Sequence, residues 1–256
     1  MRQNISYGFQ FSTFLIGVII ALLISLLIII IFLILSPSEF FVFIFLLILF
    51  AIFVFEYCFI NLSIKRYKKK VDYINKNIVK ISKLNGDEIV LDLGTGSGAT
   101  VIAFAKKLKK GKAIGLDYYI PPGDTILRKL INFIKINHIG SALNDANEIA
   151  KFEKVDEKCQ FFKEDISKKL SFKNKKFDII TSRGSLYCIS SKNHNNLFDE
   201  IDRVLKKEGK IIFQEPKKFF SWNMKKLEDF FQKKGYKTRI IRLPKSFHII
   251  FYGEKI

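Results

Sequence analysis

The feature that most constrains the fold of this chain is a short hydrophobic segment that runs directly into a series of glycines. Residues 89–98 read IVLDLGTGSG, with glycine at every second position from Gly94 onward. Glycine adopts backbone angles that other residues avoid, so the run predicts a buried strand, a tight turn and the start of a helix. A ligand can approach the bare backbone of such a turn and the unpaired N–H groups that open the helix. The segment therefore predicts a site for a nucleotide-type ligand.

Two long apolar segments precede this motif. Residues 13–35 form an uncharged run of mostly Leu and Ile, and residues 40–60 form a second run that is interrupted only by Glu56. As helices, both are long enough to cross a hydrocarbon core of ~30 Å. We therefore expect two transmembrane helices, arranged as a hairpin within residues 1–64. A cleaved signal peptide has a shorter apolar core and is not normally followed by a second apolar run.

The charge of the chain lies almost entirely after these segments. The net charge is +19, Arg2 is the only basic residue before position 65, and residues 65–70 read KRYKKK. Basic flanks stay on the cytoplasmic side, so the pattern predicts a multi-pass protein of the cell membrane with both termini and the following domain in the cytoplasm. Apolar residues at helical spacing then predict a basic amphipathic linker helix over residues 65–84.

From residue 85 onward, strand and helix patterns alternate. The expected strands cover residues 88–93, 112–117, 158–163, 177–182 and 210–215, and the expected helices cover residues 99–110, 141–154, 194–207 and 222–234. Two final strands, at 237–243 and 247–253, are joined by too few residues for a helical crossover and must be antiparallel. The order predicts an α/β, Rossmann-like fold over residues 85–256, with a seven-stranded, mostly parallel sheet and an antiparallel C-terminal strand.

Acidic residues stand at or near the ends of three predicted strands. Asp92 lies two positions before the first glycine, Asp117 ends the second strand, and Asp165 follows the third. The carboxyl ends of parallel strands share one edge of a sheet, so these carboxylates are expected to converge there. A carboxylate at the end of the second strand can accept both hydroxyl groups of a ribose.

With its motifs in this order, the segment from about residue 84 to 253 resembles the class I S-adenosylmethionine-dependent methyltransferases. The D-x-G-x-G-x-G pattern that starts at Asp92 resembles the first motif of that family, and FDIITS at 177–182 resembles the fourth. The resemblance implies S-adenosylmethionine as the cofactor, with Asp117 at the ribose and Asp165 and Ile166 at the adenine. It implies cofactor contacts from the following residues: Asp92, Gly94, Thr95, Gly96, Gly98, Asp117, Tyr118, Asp165, Ile166 and Ser182.

The implied reaction is methyl transfer to a small or lipophilic acceptor at the cytoplasmic face of the membrane. A base is required only if the acceptor loses a proton as it attacks. Tyr187, His194 and His138 are the candidates, and no metal site is predicted. Residues 121–140 can form a basic amphipathic helix, either a lid over the site or a helix in the membrane interface.

Three other interpretations remain open, and one of them is a non-catalytic membrane scaffold that keeps the fold but binds no cofactor. Gly94, Gly96 and Ala99 also satisfy the G-x-G-x-x-A pattern of an NAD(P)-dependent oxidoreductase. The positive charge would suit a nucleic-acid methylase, although the sequence lacks an aromatic and basic motif typical of nucleic-acid binding. The absence of N-P-P-Y after the fourth strand argues against methylation of adenine or glutamine nitrogens. Membrane lipid, and not nucleic acid, is therefore the expected partner.

Overall fold

The computed structural model describes residues 26, 27, 30, 39–118, 143–215, 217–219, 222–243 and 249–256. The chain divides into two compact units, Met1–Val71 and Asp72–Ile256. The first predicted apolar segment lies outside the described residues, except for Leu26, Leu27 and Ile30, which are helical and exposed. Residues 121–140 and His138 also lie outside them.

The first unit contains most of one long helix, α1, which spans Glu39–Ser82 without interruption. The second predicted apolar segment and the predicted linker helix are therefore parts of a single helix. No glycine or proline lies between them, and the Asn61 side chain donates to the carbonyl of Tyr57, so it supports the helix. In the described part of the chain, one helix, and not the predicted two, is long and apolar enough to cross a membrane.

The last turns of α1 belong to the second unit. Ile74 and Ile78 are buried there, which agrees with the helical spacing seen in the sequence. Asn75 accepts a hydrogen bond of 3.3 Å from the hydroxyl of Thr100. The side chain of Lys210 donates to the carbonyl of Ser82, the last residue of the helix, at 2.8 Å.

The second unit is built on a seven-stranded sheet. Its strands are β1 Ile89–Leu93, β2 Lys112–Asp117, β3 Cys159–Lys163, β4 Phe177–Arg183, β5 Leu205–Gln214, β8 Tyr236–Arg242 and β9 Ile249–Lys255. Their order across the sheet is β3-β2-β1-β4-β5-β9-β8. Strands β1 to β5 pair in parallel, and β9 is antiparallel to both β5 and β8. Two short strands, β6 Lys218–Phe219 and β7 Trp222–Asn223, form a separate hairpin. The predicted Rossmann-like sheet is confirmed.

This topology fixes where a ligand can bind. The chain builds outward from β1 to β2 and β3, then returns to place β4 on the other side of β1. Ligands of such sheets bind at the carboxyl ends of the strands, next to the point where the strand order reverses. The end of β1 and the end of β4 therefore border the candidate site.

Four helices cover the sheet: α2 Ala99–Ala105, α3 Leu143–Phe152, α4 His194–Val204 and α5 Met224–Lys233. Helix α2 ends earlier than predicted because the chain turns back and the N–H groups of residues 109–111 all donate to the carbonyl of Gly86. Helix α4 also ends early, since Leu205 already pairs with Phe177 in the sheet. One face of the sheet buries Leu91, Leu116, Ile180 and Phe213 in the same core cluster as Leu197 and Phe231.

Candidate functional site

The site starts with the glycine loop that follows β1. Gly94 and Gly98 have φ angles of 69° and 81°, in the left-handed region that favours glycine. A Cβ atom on Gly94 would overlap the side chain of Ser185, and one on Gly98 would lie 2.7 Å from the ring of Phe161. These glycines are therefore required by the backbone conformation and also by close packing from two sides.

Asp117, the last residue of β2, lies against this loop. Its Oδ2 atom accepts a hydrogen bond of 2.8 Å from the N–H of Gly96. Asp92 pairs in register with Gly115, so Asp92 and Asp117 lie on the same face of the sheet. The charge of Asp117 also contributes to a raised pKa at Asp92. Two of the three predicted carboxylates thus meet beside the glycine loop.

Asp92 is a buried carboxylate, only 2% exposed. Thr181, its register partner on β4, donates to Oδ1 from its hydroxyl at 2.8 Å. Burial raises the pKa of Asp92 from 3.8 to about 6, and the hydrogen bond from Thr181 opposes this only in part. A desolvated carboxylate gains stability when a cation approaches it. Asp92 is therefore suited to a ligand with a positive charge.

Asp165, the third predicted carboxylate, forms hydrogen bonds and an ion pair with residues that follow it directly in the chain. Its Oδ1 atom accepts the hydroxyl of Ser167 at 2.7 Å and the N–H of the same residue at 3.0 Å. The hydrogen bond from the Ser167 hydroxyl holds the pKa of Asp165 below its usual value. Lys168 lies 3.5 Å from the other oxygen. Ile166 is buried in the core cluster, while Tyr118 at the end of β2 is 53% exposed. Their contacts with the cofactor stay predictions.

The sequence analysis missed Glu215, which directly follows β5 and is 1% exposed. Its Oε1 atom accepts the hydroxyl of Ser182 at 2.8 Å and the N–H groups of Ser185 and Leu186, each at 3.1 Å. Burial raises the pKa of Glu215. The rule that singled out the other acids, a carboxylate at the carboxyl end of a parallel strand, would also have identified this one.

Ser182 faces away from Asp92. It pairs in register with Leu93, the residue after Asp92, so the two side chains lie on opposite faces of the sheet. Besides Glu215, its hydroxyl contacts the hydroxyl of Ser185 at 2.7 Å. Ser185 in turn donates to the carbonyl of Leu93 at 2.7 Å. The Ser185 hydroxyl therefore links the loop after β4 to the end of β1, and the predicted cofactor contact of Ser182 stays untested.

Of the three candidate bases, His194 and Tyr187 lie in the described part of the chain. Nε2 of His194 lies 2.9 Å from the carbonyl oxygen of Ile189, which can only accept, so this nitrogen carries a proton. The ring is buried and stacks on Phe198. Burial raises the pKa of the Tyr187 hydroxyl above its ordinary value, so it remains protonated at neutral pH. Neither environment favours a base at those atoms.

Comparison with known proteins decides the family. The sequence profile described as "Methyltransferase domain" matches residues 65–245, more than half of the chain. This chain belongs to the methyltransferase domain family. Its sequence matches no curated protein.

Solved structures share the fold of this methyltransferase. A SAM-dependent methyltransferase from Aquifex aeolicus aligns with a TM-score of 0.53 and 16% identity, over 73% of this chain and 98% of that one. Magnesium protoporphyrin IX methyltransferase from Synechocystis PCC 6803, solved with SAM bound, aligns with a TM-score of 0.51 and 12% identity, over 76% and 82%. The [4+2]-cyclase SpnF aligns with a TM-score of 0.55 and 14% identity, over 72% and 80%. The fold therefore carries more than one chemistry, and it is the family match that identifies a methyltransferase.

S-adenosylmethionine is the expected cofactor, and two of the methyltransferase structures that share this fold are described with it. The residues present fit that molecule. The glycine loop has no side chains at Gly94 and Gly98, and the ligand carries positive charge that suits the buried carboxylate of Asp92. Asp117 places a second carboxylate at the end of β2, where a ribose is expected. The glycine loop and Asp117 would suit a nicotinamide cofactor as well, and it is the buried anion of Asp92 that favours the cationic S-adenosylmethionine.

Proposed function

We propose that this methyltransferase transfers a methyl group to a small or lipophilic acceptor at the cytoplasmic face of a membrane, where a two-helix hairpin anchors it. The observation that carries the proposal is the surface of helix α1. Its most apolar stretch has no buried side chain, and a basic segment follows it directly.

The apolar part of α1 is exposed all around its axis. Phe50, Phe53 and Phe55 are 67%, 56% and 71% exposed. At ~3.6 residues per turn they point in three different directions, so no single face of the helix remains for a water-filled environment. A helix that is apolar on all sides is typical of burial in lipid or in a large protein core. About 20 such residues reach ~30 Å, the thickness of a hydrocarbon core.

The basic segment supports the orientation. Five exposed basic residues follow the apolar stretch within two turns: Lys65, Arg66, Lys68, Lys69 and Lys70. Positive residues at the end of a membrane helix favour the cytoplasmic side. The first helix of the proposed hairpin is residues 13–35, whose sequence is equally apolar. Tethering raises the concentration of the domain near molecules dissolved in the bilayer, which favours a lipophilic acceptor.

Methyl transfer requires little from the protein other than positioning of the two reactants. When bound, S-adenosylmethionine supplies an already activated methyl group. The chain then has to hold the acceptor in line and exclude water, which can account for a large part of the rate enhancement. An acceptor that is already nucleophilic needs no base, which agrees with the engagement of His194 Nε2 by a backbone carbonyl.

The test uses the full-length protein in lipid vesicles with methyl-labelled donor and a lipid extract of the source cells. The proposal expects label in the organic phase, and loss of that label in a Gly94→Ala variant. Label that instead appears in added RNA or DNA would replace this proposal with a nucleic-acid methylase. No transfer to any lipid fraction would refute the acceptor class.

Topology has its own experiment. After replacement of the three cysteines by serine, single cysteines are introduced at Ser38 and Lys83 and treated with a membrane-impermeant maleimide on intact cells. The hairpin predicts labelling at position 38 and protection at position 83. Labelling at both positions, or at position 83 alone, would contradict the proposed orientation.

A further inference from the structure

Arg183, the last residue of β4, has an unsatisfied donor at the edge of the site. Its Nε atom is buried and has no hydrogen-bond partner among the residues that the structure describes. Guanidinium groups stay charged at all physiological pH values, and a buried N–H group without an acceptor is costly. An acceptor supplied by a ligand would satisfy it. Arg183 was not among the residues expected from the sequence to contact the cofactor.

The sheet register places Arg183 on the same face as Asp92. Thr181 pairs with Asp92 and donates to its carboxylate, so the two side chains share a face of the sheet. Arg183 lies two residues further along β4 and therefore belongs to the same face. Its positive charge acts on Asp92 and lowers the pKa of that carboxyl, against the larger effect of burial.

The two opposite charges interact, but they do not pair directly. Among the ion pairs of the described residues, none joins Arg183 to Asp92 within 4.0 Å. Next to Arg183, Gly184 has open space around it, since nothing lies within 4 Å of a Cβ atom built there. An anion and a cation on one face, separated and beside open space, match a ligand that carries an ammonium group and a carboxylate.

We propose that Arg183 binds the α-carboxylate of the methionine end of S-adenosylmethionine, while Asp92 takes the α-ammonium group. A guanidinium can hold a carboxylate through two parallel N–H donors, and Nε is one of the atoms that such a contact uses. The inference rests on the cofactor assigned above and deepens it by naming the residue that recognises the carboxylate. It does not depend on the methyl acceptor.

The test compares two ligands by calorimetry on the full-length protein in detergent. S-Adenosylhomocysteine carries the amino-acid end, and 5′-methylthioadenosine has the same adenosine and thioether without it. Arg183→Met is expected to weaken binding of S-adenosylhomocysteine by about 10- to 100-fold, as for the loss of a charge-assisted contact. Its affinity for 5′-methylthioadenosine should not change. Arg183→Lys should recover part of the loss because it restores the charge but not the paired donors.

A matched control is available on the far edge strand. Arg242, the exposed last residue of β8, is three strands away from β4, and Arg242→Met should leave both affinities unchanged. If Arg183→Met fails to fold, the same contact can be tested by removal of the carboxylate from the ligand. Decarboxylated S-adenosylhomocysteine should bind the wild-type protein more weakly, by about the factor lost in Arg183→Met. The two deletions together should cost little more than either alone.

Three results would overturn the inference. The first is unchanged affinity for S-adenosylhomocysteine in Arg183→Met, and the second is an equal loss for both ligands. The third is wild-type binding that is indifferent to the carboxylate of the ligand. A wild-type protein that binds neither ligand would instead refute the cofactor assignment, so the two failures are distinguishable.

Discussion

The burial of Asp92 predicts that its neutralisation will raise the stability of the protein and weaken its binding of ligand. Asp92→Asn removes the charge, keeps the shape, and retains an oxygen to accept the Thr181 hydroxyl. A rise in the pKa of Asp92 from 3.8 to about 6 means that the folded protein disfavours the ionised form. At ~1.4 kcal/mol per pKa unit, this amounts to about 3 kcal/mol at neutral pH. The variant should therefore be more stable than the wild type by up to that amount, yet bind S-adenosylhomocysteine about 10- to 100-fold more weakly.

The pH dependence follows from the same change. Because the pKa of this acid is higher in the folded protein, its ionisation opposes folding, and the penalty is absent below pH 3.8. It grows as the pH rises and is complete above about pH 6. The stability advantage of Asp92→Asn should therefore appear between these pH values and then level off. Affinity of the wild type for S-adenosylhomocysteine should rise over the same interval, because the ionised carboxylate attracts the ammonium group.

Thermal unfolding of the ligand-free protein at several pH values measures the first effect. At ~2–4 °C per kcal/mol for a domain of this size, the variant should unfold about 6–12 °C higher at pH 8. Asp178→Asn is the matched control, and it is expected to change the stability in the opposite direction. Asp178 accepts the N–H of Ile89 at 2.8 Å and pairs with Lys206 at 2.7 Å, so the same substitution there should destabilise the protein. An Asp92→Asn protein that is less stable than the wild type at pH 8 would refute the reasoning.

Three further predictions concern the glycine loop, the contacts of Glu215 and the membrane topology. Gly94→Ala, at φ 69° and overlapping Ser185, should abolish binding of S-adenosylhomocysteine in calorimetry. Gly235→Ala, at φ 85° but in open space after helix α5, should cost only about 1 kcal/mol of stability and retain binding. Glu215→Ala leaves the Ser182 hydroxyl and three N–H groups without their acceptor and should lower the free energy of unfolding in urea by about 3 kcal/mol. A change below about 0.5 kcal/mol would contradict the proposed network. Replacement of the five basic residues at 65–70 by glutamine should weaken the orientation signal, so that maleimide reaches a cysteine at position 83; unchanged protection would show that these residues do not set the topology.

The sheet could be predicted because its signals are local. Strand β2 was expected at residues 112–117 and is found at Lys112–Asp117, since a short apolar run ends there in an acid. The convergence of Asp92 and Asp117 follows from topology alone, because parallel strands bring their carboxyl ends to one edge. The left-handed glycines of the loop were likewise expected from their spacing.

The hydrogen-bond partners of individual side chains could not be predicted in the same way. Ser182 bonds to Glu215, 33 residues later in the chain, and this contact depends on the pairing of β4 with β5. The carboxylate of Asp165 accepts a hydrogen bond from Ser167, two residues away. A local Asx-type contact of this kind competes with a ligand for the same oxygen, and the sequence does not show which of the two prevails. Arg183 gave no sequence signal, since an arginine at the end of a strand is usually solvated.

Glu215 and Asp92 differ in a way that separates a structural carboxylate from one that we propose to bind a ligand. Both are buried at the carboxyl edge, and burial raises the pKa of each. Glu215 receives backbone N–H groups from Ser185, Leu186 and Tyr187, whose positions it therefore fixes. No described backbone N–H is bonded to the carboxylate of Asp92, so much of its desolvation is left for a ligand cation to offset. The fold thus uses one buried acid to hold the loop that packs on Gly94, and it leaves the other without a backbone donor, as the proposed contact with the ammonium group requires.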